Sequence, residues 1–295
     1  MPNDTAPSDA PLYLTTKEVA DLLRVRERKV YDLAGADEIP HRRITGKLLF
    51  PRDEIMAWID GSGEVAPAQV PDVLTGSHDP LLAWAVGESD GGLAVLQNGS
   101  ADGLACFAAG KAALTGLHIP EGDGRWNRSA VASLGLRDCV LIRWALRERG
   151  LILPPGLADK VKSLNDLAGL RVVRRQSGAG AAALLDQLLG AEGLSTDALA
   201  PADGVARTES DAAIAVASGA ADAALGIAAM ARQFNLGFLP ILMEPFDLLI
   251  HRRAYFTPPV QSLMQLAHRA EIAQKASSLG GYDISTMGEV LWNGP

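Results

Sequence analysis

Three short stretches of the sequence place serine and glycine where an apolar run gives way to a helical one. They are Thr75-Gly76-Ser77-His78-Asp79-Pro80, Asn98-Gly99-Ser100 and Gln176-Ser177-Gly178-Ala179-Gly180. The first turn of a helix carries unpaired backbone N–H groups and the positive end of the helix dipole. Glycine there permits close approach, and a serine hydroxyl adds a donor. Ser77, His78, Asn98, Gly99, Ser100, Ser177, Gly178 and Ala179 are therefore candidates to hold a small anion, although Ser and Gly at such turns also serve as plain helix caps. The third stretch also fits G-x-G-x-x-A from Gly178 to Ala183, with Asp197 further on. A ribose-binding acid belongs at the end of a strand, whereas Asp197 sits in GLSTDAL, a turn or helix start, which argues against a dinucleotide site.

A second chemistry lies near the amino terminus. Arg26, Arg28 and Lys29 form one basic cluster, and Arg42 and Arg43 form another with Lys47 just beyond. Arginine suits bidentate contact with guanine and lysine suits phosphate, but a solvated helix face has the same composition. Enzyme chemistry is poorly represented. His41, His78, His118, His251 and His268 are scattered, without an H-x-x-x-H pair or a cysteine at metal spacing. His118 in LTGLHI and His251 in LLIHRR read as structural strand-end residues. Ser77-His78-Asp79 holds the residue types of a triad, but adjacent side chains do not form a relay. No phosphate-binding P-loop is present, so no catalytic residue, metal or cofactor is expected.

The chain has 295 residues, is 48% hydrophobic and 21% charged, and so is expected to fold rather than remain disordered. Its length suits two domains, or a small module joined to a larger one. The net charge of -8 argues against a surface coated for nucleic acid, yet it is unevenly shared. From Tyr13 to Ile59 there are 9 Lys/Arg against 8 Asp/Glu, which makes that piece +1 and leaves -9 for the rest. Cys106 in LACFAA and Cys139 in RDCVLI are expected to be buried, reduced thiols. The opening MPNDTAPSDAP lacks the basic start and apolar run of a leader. The stretch Ala212–Ala231 is interrupted by Asp222 and dominated by alanine and glycine, so it reads as helix, turn and strand rather than a membrane span. A cytoplasmic protein with no membrane partner is the expectation.

The elements that must position these groups are legible. Thr15 or Thr16 can cap a helix carrying Val19, Leu22 and Leu23. A second helix over Glu27–Leu33 puts Val30 and Leu33 on one face, with Arg28, Lys29 and Tyr31 off it. Two extended runs around Thr45-Gly46-Lys47 predict a hairpin, and Pro51 can open a last helix with Ile55, Trp58 and Ile59 buried. Residues 61–72 are rich in Gly, Pro and small side chains and read as a linker. Beyond it, strands are expected at Gly92–Gln97, Leu114–Ile119, Val140–Arg147, Leu170–Arg175, Ala223–Ile227 and Leu239–Ile250. Helices are expected at Pro80–Val86, Ser100–Lys111, Gly180–Leu189, Glu209–Ser218 and Pro259–Ala276, an alternation that predicts an α/β domain.

The run LTTKEVADLLRV, KVYDL and IPHRRITGKLLFPRDEIMAWI resembles the excisionase-type winged helix-turn-helix, a relative of the MerR-type DNA-binding domain. The resemblance implies a DNA-binding domain over residues 12–60. Arg26, Arg28, Lys29 and Tyr31 would lie on the recognition helix, and Arg42, Arg43 and Lys47 on the wing. Arg26 stands where that family often has Ser or Thr, so the cap is lost or replaced. GSHDPLL, LQNGSADGLACFAAGKAALTGLHI, RVVRRQSGAGAAALLDQLL, VASGAADAALGI and GYDISTMGEV resemble the two-lobed periplasmic-binding-protein-like domains fused to such modules in bacterial regulators. Those domains are similar to molybdate- and tungstate-binding proteins.

This second resemblance implies a type II α/β clamshell over residues 73–295, with Ser77, Ser100, Ser177 and the backbone near Gly178 and Ile227 lining its cleft. A tyrosine that often contributes in the oxyanion binders corresponds to Phe246, which lacks the hydroxyl. That change, and His78 beside Ser77, leave room for a smaller anion such as formate. Together the two resemblances imply a ligand-responsive transcription regulator that binds a double-stranded operator, as a homodimer because one small winged module buries little surface. The alternative is an anion- or cofactor-binding chaperone whose helix-turn-helix makes protein contacts.

Overall fold

The computed structural model describes residues 11–59 and 70–294, and the chain divides into two compact units at Gln69/Val70. The opening residues 1–10 and the expected linker as far as Gln69 lie outside the described residues.

In the first unit Thr15 caps α1 (Thr16–Leu23). Its hydroxyl accepts from the Glu18 N–H, and the Glu18 carboxylate accepts from the Thr15 N–H, so two orphan helix donors are satisfied. Arg24, in the left-handed region at φ 55, ends the helix, and α2 (Glu27–Gly35) follows a short turn. Strands β2 (Arg42–Ile44) and β3 (Lys47–Pro51) pair with Ile44 opposite Lys47. The two intervening residues, Thr45 at φ 49 and Gly46 at φ 79, give the turn whose twist matches its strands. Strand β1 (Tyr13–Leu14) covers the other edge of β3, and α3 (Arg52–Ile59) closes the unit. Leu14, Val19, Val30, Ile39, Phe50 and Ile55 form the core. The stripe expected on the last helix is narrower than the sequence suggests: Ile55 is buried, Trp58 only partly, and Ile59 is 39% exposed. Phe50 and Ile55 already close so small a core.

The second unit opens with β4 (Val73–Gly76), α4 (Pro80–Glu88), β5 (Ala94–Leu96), α5 (Ser100–Ala108) and β6 (Leu114–Leu117), a parallel arrangement with β4 in the middle. A hairpin, β7 (Pro120–Gly122) and β8 (Arg125–Trp126), and α6 (Arg128–Ala132) lead into β9 (Cys139–Leu153). The second lobe contains α7 (Pro155–Ala158), β10 (Arg171–Val172), α8 (Gly180–Ala191), β11 (Ala200–Pro201), α9 (Glu209–Ala217), β12 (Ala224–Ile227) and α10 (Ala228–Gln233). The chain returns along β13 (Gly237–His251) and finishes with α11 (Pro258–Ala267), α12 (Ala270–Leu279), β14 (Tyr282–Asp283) and β15 (Val290–Asn293).

Strands β9 and β13, 15 residues each, pair antiparallel from Gly237 opposite Leu153 to His251 opposite Cys139, and so run through both lobes. The main sheet has the order β12-β9-β13-β6-β4-β5, with β14 and β15 also on β9. Leu74, Leu81, Leu114, Trp144, Leu248 and Leu263 pack the first lobe, and Leu151, Leu153, Leu184 and Leu225 pack part of the second.

The structure corrects several expectations. Strand β9 continues six residues beyond Arg147, through Arg147-Glu148-Arg149, because both arginines are buried and paired. The single helix expected over Pro259–Ala276 is two helices, broken at His268-Arg269. Cys139 is buried, but Cys106 is only partly so and its thiol lies 3.9 Å from Asp102. The stretch Ala212–Ala231 forms the end of α9, strand β12 and the start of α10, and no described helix is long and apolar enough to cross a membrane.

Candidate functional site

In the winged unit Arg26, Arg28, Lys29 and Tyr31 are all exposed on or beside α2. Arg26 occupies the N-cap position with no side-chain cap, which leaves its guanidinium uncommitted to the helix end. Arg43 and Lys47 are exposed on the hairpin, whereas Arg42 is held by Glu54 at 2.7 Å. A groove of about 460 Å³ brings Tyr31, Arg43 and Lys47 together with Thr15, Thr16 and Lys17 at the start of α1. Arg26, Arg28 and Lys29 do not line it.

In the second unit the three Ser/Gly stretches meet. Ser77 Oγ lies 2.8 Å from Ser100 Oγ, and Ser100 Oγ also accepts from the His118 N–H. Across the cleft the Ala101 N–H donates to the Gly178 carbonyl at 3.2 Å, and the Gln176 amide donates to the Asn98 carbonyl at 3.3 Å. Gly99, at φ 102, takes a backbone form that suits glycine, and a Cβ there would lie 3.4 Å from Ala179 Cα. Ser77 and Ser100 are buried, Ala179 is buried at the N-cap of α8, and His78 is partly buried. Ser177 is exposed. Ile227 caps α10 with its backbone, while its side chain belongs to the second-lobe core. Asp197 is exposed in a short turn, Thr196–Ala198, away from any strand end of the kind a ribose site needs.

Beneath these loops lies a cluster that sequence reasoning missed. Arg147 and Arg149 are two apart on β9 and so leave the same face, and Glu244 on β13 stands directly opposite Arg147. Glu244 Oε2 accepts from Arg147 Nη2 at 2.6 Å and from Arg149 Nη2 and Nε at 2.6 and 2.9 Å. Its Oε1 accepts from His118 Nδ1 at 2.7 Å. Asp79 caps α4 through the Leu82 N–H and takes further hydrogen bonds from Arg147 at 3.1 Å and the Tyr282 hydroxyl at 2.7 Å. Glu209, in the first turn of α9, accepts from Arg149 and from Arg175. The hydroxyl at this centre therefore comes from Tyr282; Phe246 instead lays its ring 4.4 Å from the Arg147 guanidinium. Two local sequence features fall here, an Arg-Glu-Arg run inside a largely apolar strand and an Asp-Pro helix start, but neither names its distant partners.

The electrostatics follow from burial. Burial alone would raise the Glu209 carboxyl, but Arg149, Arg175 and Arg147 overcome it and bring the pKa down to about 2. Glu244 is likewise held well below its ordinary value, against burial, by Arg149, His118 and Arg147. Burial lowers His118 and His78, so both favour the neutral imidazole. Three arginines (147, 149, 175) thus face three carboxylates (79, 209, 244), and the cluster is neutral as a whole. His78 Nδ1, Arg147 Nε and Gln176 Oε1 are buried without a hydrogen-bond partner.

A carboxyl whose folded pKa is lowered stabilises the fold above its ordinary value near 4.5, and that contribution is lost as pH falls through about 2. Glu209 alone accounts for about 3 kcal/mol over that window. Asp247, bonded to Arg143 and Asn127, is raised by burial to about 6 and acts the other way: its contribution is complete below 3.8 and lost as pH rises through about 6. Urea unfolding of the second unit should therefore show a stability maximum between pH 4 and 5, and a steady fall below it. A flat profile from pH 4.5 to 2.5 would contradict the assignment of Glu209.

A family model described as "PBP superfamily domain" matches residues 85–268, and one described as "Helix-turn-helix domain" matches residues 13–62. The chain is 24% identical over 301 residues to the uncharacterized protein YvgK of Bacillus subtilis (strain 168), an alignment that covers 94% of this chain and 97% of that one. Among solved structures it is similar to a Clostridium perfringens protein assigned as a phosphate ABC transporter substrate-binding protein, solved with bound phosphate. The TM-score is 0.51 at 12% identity, over 70% of this chain and 96% of that chain. At that identity the likeness concerns the fold.

Proposed function

We propose, for a chain that belongs to the PBP superfamily and carries a helix-turn-helix domain ahead of that region, the role of a DNA-binding transcription regulator that senses a small anion. The observation that carries the sensing half is the meeting of the three Ser/Gly loops over the buried arginines, with Ser77 and Ser100 hydroxyls 2.8 Å apart. The starts of α5 and α8, one from each lobe, lie at that point with the positive ends of their dipoles, which is how a protein holds an anion without adding a net charge of its own. The ligand is an oxyanion of the molybdate or tungstate type, or a small carboxylate such as formate. The exposed Arg28, Lys29, Tyr31, Arg43 and Lys47 support the DNA-binding half.

Regulation requires the anion to bind one of the DNA-bound and DNA-free forms more tightly than the other. The working form is a homodimer in the cytoplasm, acting as a sensor rather than an enzyme. Fluorescence anisotropy with the duplex upstream of the protein's own gene tests the proposal. Arg28→Ala and Arg43→Ala should each cost about 1–3 kcal/mol of binding, with a salt dependence reduced for whichever contacts phosphate. Unchanged DNA affinity in both variants at physiological salt would favour the second reading, an anion-binding chaperone whose winged module makes protein contacts. Sedimentation showing a monomer with and without DNA would remove the dimer.

A further inference from the structure

Glu209 differs from the other carboxylates of the buried cluster. Asp79 is needed to cap α4, and Glu244 is fixed in the middle of β13 by two guanidiniums and an imidazole. Glu209 has neither duty. Helix α9 is already capped by Thr208 and Asp211, each bonded to the other's backbone. The Glu209 carboxylate is instead turned to the buried arginines: Arg149 Nη1 donates to its two oxygens at 3.0 and 3.2 Å and Arg175 Nη1 donates at 3.1 Å. It is fully buried, although the chain just before α9, Asp203–Val205, is exposed. Close by, His78 and Arg147 each keep one buried nitrogen without a partner.

The geometry points to Glu209 as an internal occupant of the anion seat, a carboxylate of the chain itself that holds Arg149 and Arg175 until an incoming anion with at least two terminal oxygens replaces it. This rests on the anion-sensing reading above. The charge balance gives the reason. With Glu209 in place, three guanidiniums meet three carboxylates, so an added anion would leave an uncompensated charge in a dry site. Exchange of Glu209 for the ligand keeps the seat neutral and moves the first turn of α9, which makes ligand arrival a structural event rather than simple filling. Two guanidiniums presented side by side match the paired oxygens of a carboxylate or a tetrahedral oxyanion.

Calorimetry and thermal melts on the full chain, using sodium formate, sodium molybdate and inorganic phosphate at constant ionic strength, test this directly. Glu209→Gln keeps the shape and removes the charge, so affinity for whichever of these anions the native protein binds should rise by about tenfold or more. Glu209→Ala leaves a carboxylate-sized gap, and formate should raise its melting temperature by several degrees more than it raises that of the native protein. Should either variant fail to fold, Glu209→Asp retains the charge on a shorter arm and should bind the same anion more tightly than the native protein. Equal or weaker anion binding in the variants that fold, with equal melting shifts, would make Glu209 a fixed counter-ion while leaving the sensor reading intact. Absence of anion binding by native and variant proteins alike would overturn both.

Discussion

Arg149→Met should destabilise the second unit by roughly 3–5 kcal/mol, the cost of breaking a buried ion pair from one side. Arg149 is fully buried and serves Glu244 and Glu209 together, so its loss leaves two carboxylates short of donors in a dry site. Methionine fills most of the volume, which separates charge loss from cavity formation. Urea unfolding gives the number, and the double variant with Glu209→Gln should recover part of it, because the two side chains are directly coupled. A single-variant loss below about 1 kcal/mol would mean that Arg147 and Arg175 suffice as counter-charges.

Gly180→Ala should cost about ten- to a hundredfold in anion affinity while leaving each lobe folded. Gly180 opens α8 in the second lobe, and a Cβ there would meet the His118 carbonyl oxygen and lie 2.9 Å from its ring, both in the first lobe. Neither neighbour is free to yield, since His118 is tied through its backbone N–H to Ser100 and through Nδ1 to Glu244. On the proposed clamshell closure the methyl group acts only when the lobes are together, so it should disfavour the closed form by about 1–3 kcal/mol and leave the open one unaffected. Calorimetry with the best-bound anion, alongside small-angle scattering for lobe separation, measures both effects. Affinity equal to the native protein's would show that closure does not need this contact.

The winged unit was legible because its signals are local. The Thr15/Glu18 capping box spans three positions and the Thr45-Gly46 turn spans two, so short windows of sequence contain the whole argument. The three Ser/Gly loops were legible for the same reason, and the structure brings them to one place. The charged centre was not legible. Arg149 finds its partners 60 and 95 positions away, and the His118–Glu244 pair is separated by 126. Within the sequence, Arg147-Glu148-Arg149 looks like the polar end of a strand, and only its distant partners make burial affordable. The same non-local origin explains β9, whose second half is a strand because β12 and β13 flank it.

The two long strands also impose an order in time. In the main sheet β13 lies between β9 and β6, yet it is the last of the three to be synthesised. Until residue 251 has emerged, both neighbours carry an unpaired edge, and the strands made first must wait for one made much later. The winged unit has no such debt, because every one of its strand partners is made by Pro51. A nascent chain can thus complete its helix-turn-helix unit long before its second unit, and on the proposed regulator reading nothing within the same chain can, for that interval, tell the DNA-binding unit whether its ligand is present.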